Sequence, residues 1–285
     1  LDFEEWLWAN GIKKMTIDYL HRCLEEKTPV QEAIHERMRQ LLLQYCIVGG
    51  MPRAVSVFME THNMQNVLRM QQAIIEEYKV DMLKYAPQAD KSRIRECFES
   101  IPRQLSKENK KFAYATVRSN GRGRDYQGSL QWIEDAGIIR RCYNLSAPEL
   151  PLDGNSIPDQ FKVYMADTGL FISMLEPGTA ADILQGNLYG YKGAIFENLV
   201  ADIFGKMNRK LYYFRKDSGL EIDFVTRYEG KCTLVEVKAS NGNIKSAKTI
   251  LSNPEKYLVS QANKLGDVNL GTAPQSLILP LCMAF

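Results

Sequence analysis

The sequence predicts a multidomain chain of α and α/β parts, on three observations. Apolar residues recur at helical spacing through the first third. A helix, turn, helix and strand follow in the middle. From about residue 150, helical and alternating segments succeed one another in the order α-β-β-β-α-β, which calls for an α/β sandwich around a central mixed sheet. The domains expected are therefore 1–90, 91–150 and 151–285, which suits a length of 285 residues.

In residues 1–90, Phe3, Trp6 and Leu7 share a helical face. Ile34, Met38, Leu41 and Leu42 share another over Pro29–Gln44, with Thr28-Pro29 as the expected helix start. Gly49-Gly50-Met51-Pro52 breaks that helix, and a new one is expected from Arg53. Met64–Tyr85 reads as a long amphipathic helix.

The middle segment carries the charge. Residues 91–141 hold 12 Lys/Arg against 6 Asp/Glu, net +6, whereas 1–90 and 142–285 are net −3 and −1. Such an excess is the electrostatic footprint of a nucleic-acid contact, or else an unevenly charged solvated face. Ile94, Cys97, Phe98 and Ile101 fit a helix that Pro102 turns or interrupts, and Ser106–Asn109 is a further helix start. Gly121-Arg122-Gly123-Arg124 reads as a flexible basic turn. Asp125–Ala136 is helical and stops at Gly137. A strand follows at Ile138–Tyr143. This is the element order of a winged helix, whose second helix enters the DNA major groove. Arg122, Arg124, Lys110 and Lys111 are the candidate DNA contacts.

Pro148–Pro158 is a connector, and Phe161–Met165 a strand. Gly193–Lys206 is a helix that buries Ile195, Leu199 and Ile203. Lys210–Arg215, Glu221–Arg227 and Cys232–Lys238 are strands, Lys245–Leu251 and Lys256–Ala262 helices, and Ser276–Leu281 a closing strand. Alternation sends Val235 and Val237 one way and Glu236 and Lys238 the other, with Ile222 and Phe224 set against Glu221 and Asp223. If the two strands are neighbours, Asp223, Glu236 and Lys238 converge. Two carboxylates with open water positions suit Mg²⁺, and a lysine beside them can orient a water or stabilise phosphate charge. Glu197, on the preceding helix, is a candidate third carboxylate, although pairing with Arg215 or Lys238 would also explain it. A plain salt-bridge cluster on an exposed sheet face is the alternative for all of these.

Composition excludes other classes. The chain is 45% hydrophobic and 25% charged, as globular proteins are. It carries no long uncharged apolar run for a membrane span and no signal-peptide pattern at Leu1-Asp2-Phe3. Its six cysteines form no C-x-x-C pair, which fits reduced thiols in a cytoplasmic setting. The missing initiator Met points to a longer parent.

Glu236-x-Lys238, thirteen positions after Asp223, resembles the PD-(D/E)XK motif of restriction-endonuclease-like nucleases, with Ile222 in place of the Pro. More of the chain resembles the C-terminal part of a large family of predicted prokaryotic AAA+ ATPases. The resemblance rests on Leu1–Leu7, Gly49–Val55 (GGMPRAV), Val163–Leu170 (VYMADTGL), Gly193–Asn198 (GAIFEN), Tyr213–Arg215, Glu221–Phe224 and Val235–Lys238. It implies a helical AAA+ lid over 1–90, a winged helix, and an endonuclease-like α/β domain. In that case Asp223 and Glu236 hold a metal, Lys238 orients the attacking water, and Glu197 is a secondary ligand or base. Arg53, near the Gly49-Gly50 loop, is implied as a phosphate sensor in the intact protein. The partners implied are DNA, the ATPase core that this chain lacks, and further copies in a homo-oligomer. ATP belongs to the longer parent, since no G-x-x-x-x-G-K-[ST] loop occurs here. Three function classes remain open: a Mg²⁺-dependent nuclease, a DNA-binding module with an idle nuclease fold, and a protein-interaction module for an oligomeric ATPase.

Overall fold

Local chemistry sets several helix starts. The computed structural model describes all residues except 89, 108–109, 188–190, 239–241 and 285, and at 192 the backbone alone. Helix α1 (Phe3–Ala9) starts with a capping box, in which Asp2 accepts the Glu5 N–H and Glu5 accepts the Asp2 N–H. Helices α2 (Lys14–Glu26) and α3 (Glu32–Val48) follow, and α3 begins past the expected Thr28-Pro29 start. Pro52 opens α4 (Pro52–Thr61), and the Asn63 side chain caps α5 (Met64–Tyr85).

Helix α6 (Lys91–Leu105) runs through Pro102 rather than stopping at it. The residue falls in the last turn, where the missing N–H costs a single helical hydrogen bond. A short α7 (Tyr114–Val117), then α8 (Gly123–Asp135), β1 (Ile139–Leu145) and β2 (Ser156–Met165) complete the middle segment; Asn109, the end of one expected helix start, lies outside the described residues. The remainder is α9 (Thr168–Ser173), α10 (Thr179–Leu184), α11 (Lys192–Lys206), β3 (Leu211–Arg215), β4 (Glu221–Ile222), β5 (Phe224–Tyr228), β6 (Lys231–Lys238), α12 (Lys245–Leu251), β7 (Gln261–Gly266), β8 (Gly271–Ala273) and β9 (Ser276–Pro280).

The chain divides into two compact units. One holds Leu1, Gln44–Arg141 and Lys162–Asp202; the other holds Asp2–Leu43, Cys142–Phe161 and Ile203–Phe285. In the first unit, α5 packs on α4, α6 and α9, and α6 packs on α7 and α8. A buried clasp ties its turns together. Gln71 donates from Nε2 to the carbonyls of Ile47 and Val48 at the end of α3, 2.7 and 2.9 Å away. Asp167 accepts the Gly50 N–H at 2.7 Å and caps α9 through the Leu170 N–H at 2.9 Å. Gly49 has φ +70, and a Cβ there would lie 2.2 Å from Asp167 Oδ1, so both the conformation and the close approach demand glycine.

The second unit carries the sheets. One has the strand order β2-β1-β3-β4, the other β5-β6-β7-β9-β8. Strands β6, β7 and β9 run parallel, while β5 and β8 are antiparallel edges. Leu234, Val225, Phe214 and Ile222 share a buried cluster with Ala247 and Ile250 of α12. The helix expected over Lys256–Ala262 does not form: Lys256 closes a turn, 257–260 are irregular, and Gln261 and Ala262 begin β7. Tyr257 and Val259 are buried while Leu258 between them is 71% exposed; that period of two is not a helical one.

Candidate functional site

The strand expected over Glu221–Arg227 is broken at its acidic residue. Ile222 pairs with Phe214 in one sheet, and Phe224 pairs with Val235 in the other. Asp223 stands between the two pairings, so strict alternation fails there: Ile222 and Val225 join the same buried cluster, and Phe224 packs edge-on to Phe204. The break leaves the Asp223 carboxylate beside β6, where Oδ2 accepts the Val237 N–H at 2.8 Å.

Glu236 lies in mid-sheet and is 3% exposed. Its Oε1 accepts the Ala247 N–H from the first turn of α12 at 3.2 Å. The Lys238 ammonium sits 2.5 Å from Glu236 Oε2 and 3.8 Å from Asp223 Oδ2. Asp223, Glu236 and Lys238 are thus brought together. Alternation along β6 holds as expected, but Val235 and Glu236 are both buried, so both faces of the strand are covered here rather than one being open. Two carboxylates are thus set about one ammonium in a partly dry site. Hard oxygen donors of this kind suit a divalent ion that retains waters and takes one or two carboxylates. Among the described residues no group of three or more His, Cys, Asp or Glu is placed to hold a metal, so protein ligands here would be a pair.

One neighbour was hidden from the sequence. Lys264 of β7 stands in register with Glu236, and paired residues of parallel strands point to the same face. Reading the approach to β7 as helix obscured this, and Tyr257, Leu258 and Val259, all apolar, carry no alternation in the sequence that would have marked it.

Glu197 lies in the first unit, on α11. It is buried, with Oε1 bound by Lys110, and Oε2 3.1 Å from the Tyr164 hydroxyl and 3.8 Å from the Lys162 ammonium. Burial by itself would push this carboxyl up. The ammoniums of Lys162 and Lys110 and the Tyr164 hydroxyl outweigh burial and hold it below the usual carboxylate range.

The basic residues separate. Lys110 is committed to Glu197, with a side chain only 13% exposed. Lys111 and Arg122 are exposed, and Arg124 is 74% exposed. At the turn carrying the two arginines the backbone approaches closely: a Cβ on Gly121 would lie 2.6 Å from the Tyr114 carbonyl. Arg53 makes a two-pronged contact with Glu77, at 3.0 and 2.7 Å. Asp167 is the N-cap of α9. His35 is buried against the Val268 carbonyl at 3.1 Å.

Two family models match. Residues 39–180 match a domain of unknown function (DUF8612), and residues 192–278 match another (DUF4143). The second is a domain typically found in AAA-ATPase-associated proteins. It spans Asp223, Glu236, Lys238 and Lys264; the first spans the Gly49–Asp167 clasp and the basic turn. No curated protein and no solved structure matches the chain. No helix among the described residues is long and apolar enough to cross a membrane.

Proposed function

We propose that this chain is the nucleic-acid-handling, C-terminal part of an AAA+ protein, with a PD-(D/E)XK-type site for Mg²⁺-dependent phosphodiester hydrolysis. The observation that carries the reading is the single ammonium of Lys238 shared between Asp223 and Glu236. Two side chains of β6 and one from the break between β4 and β5 meet in the combination that such hydrolysis uses. Asp223 and Glu236 would hold the ion, each with one oxygen already oriented by a backbone N–H. Bound there, Mg²⁺ supplies Lewis-acid polarisation and a water of lowered pKa. Lys238 would leave the carboxylates and donate to the attacking water or the phosphate. Glu197 would be a secondary ligand or base, and within its own unit its charge is met by the ammoniums of Lys110 and Lys162.

DNA contact is assigned to the winged-helix-like segment α6–α7–α8–β1, through Lys111, Arg122 and Arg124. The match of 192–278 to a domain found in AAA-ATPase-associated proteins supports the link to an ATPase core; residues 1–90 would be its lid. A second reading, an idle nuclease fold that only binds, draws on the same contact: Lys238 already neutralises much of the carboxylate charge that would attract a cation.

The test is a supercoiled-plasmid nicking assay with Mg²⁺ or Mn²⁺. Nicking that Asp223→Ala abolishes supports hydrolysis. DNA binding with no nicking under either ion supports the idle fold.

A further inference from the structure

We infer that Lys264 is the phosphate-contacting cation of the Asp223–Glu236–Lys238 site, a role that rests on the nuclease reading proposed above. In the parallel register, Lys264 pairs with Glu236, Gly266 with Lys238 and Ala262 with Leu234. Asp223 reaches Glu236's strand from the other side, through the Val237 N–H. Glu236 and Lys264 therefore stand side by side on one face of β6 and β7, with the Asp223 carboxylate bound alongside β6.

Two features give Lys264 a different task from Lys238. Lys238 is committed to both carboxylates, whereas Lys264 has no ion pair or side-chain hydrogen bond among the described residues. It is also half-buried, so its charge is only partly screened by water. The next residue on its face is Gly266, where even a Cβ would come 3.0 Å from the Lys238 carbonyl. No side chain at that position stands between the Lys264 ammonium and the edge of the sheet beside Lys238. An uncommitted ammonium here would meet a non-bridging oxygen of a nucleic-acid phosphate seated over the carboxylates. It would compensate charge that the carboxylates repel.

The probe is a fluorescently labelled 20-mer DNA duplex, its anisotropy followed in Ca²⁺ and in EDTA. Ca²⁺ supports assembly without turnover, and the difference between the two conditions isolates this site from the basic turn. Wild type should bind more tightly in Ca²⁺. Lys264→Gln should weaken the Ca²⁺-dependent binding about tenfold, the effect of losing one charge-assisted contact, while Lys264→Arg stays near wild type. Thermal unfolding of both variants should match wild type. A Ca²⁺-dependent gain that Lys264→Gln leaves unchanged overturns the assignment of Lys264 but keeps the metal-site reading. No Ca²⁺ dependence in wild type overturns the metal-site reading, and the role of Lys264 falls with it.

Discussion

The Lys238 ammonium lies 2.5 Å from Glu236 Oε2 on a carboxylate that is almost wholly buried. It also lies 3.8 Å from Asp223 Oδ2, so one ammonium serves both carboxylates. Lys238→Met should therefore destabilise the protein by about 1–3 kcal/mol, below the loss for a fully buried pair because Lys238 is partly exposed. Added Mn²⁺ should raise the melting temperature of this variant more than that of wild type, since the ion would no longer compete with the Lys238 ammonium for the two carboxylates. Thermal melts with and without Mn²⁺ check this, and an identical response in both proteins counts against a shared cation position.

Glu197 makes a pH prediction. Its carboxyl is held below the ordinary value of 4.5, so its stabilising contribution is complete above that value. The contribution is lost as pH falls through the lower folded-state value. Glu197→Gln removes the carboxylate charge that Lys110 and Lys162 face and should cost about 3–5 kcal/mol at pH 7. Its stability should then fall less steeply than that of wild type below about pH 4.5. Urea unfolding at pH 7 and pH 3.5 measures both; parallel losses on acidification would show that Glu197 does not carry the effect.

The Gly49–Asp167 contact predicts a strong local penalty. Gly49→Ala places a methyl against a carboxylate in a left-handed backbone and should cost about 2–4 kcal/mol. Asp167→Ala, which removes the acceptor of two buried N–H groups, should cost a similar amount. Gly128→Ala on α8, where a Cβ would meet nothing within 4 Å, is the control and should be neutral or slightly stabilising.

Burial pushes the thiols of Cys46, Cys97, Cys232 and Cys282 up to about 12. At pH 8 they are protonated and inaccessible. Titration with a chromogenic disulfide should label these four only after denaturation. Rapid labelling of the native protein at any of them would place that thiol at the surface.

Arg122→Glu/Arg124→Glu should weaken DNA binding at low salt and flatten the dependence of log affinity on log salt by about two, one unit for each lost phosphate contact. Anisotropy across a salt series measures the slope. An unchanged slope would move the DNA contact elsewhere.

Much of the architecture was legible because the periodicity changes along the chain. Apolar spacing near 3.6 through α11 gives way to alternation in β6, and that switch set Glu236 and Lys238 on one face. Other features depend on partners far away in sequence. The break at Asp223 exists because β4 pairs with β3 while β5 pairs with β6. The commitment of Lys110 to Glu197 spans 87 positions, and the bond from Gly50 to Asp167 spans 117. No local pattern encodes these. At Tyr257–Val259 three consecutive large apolar residues blur the two periods, which is why β7, and with it Lys264, was missed.

Isothermal titration calorimetry with Mg²⁺ and Mn²⁺, on the chain and on Asp223→Ala/Glu236→Ala, tests the metal-site reading most directly. The expected result is a saturable divalent site in the unmutated chain that is absent from the double variant. Absence of binding heat from the unmutated chain with either ion, or identical heats from both proteins, contradicts a metal centre at Asp223 and Glu236.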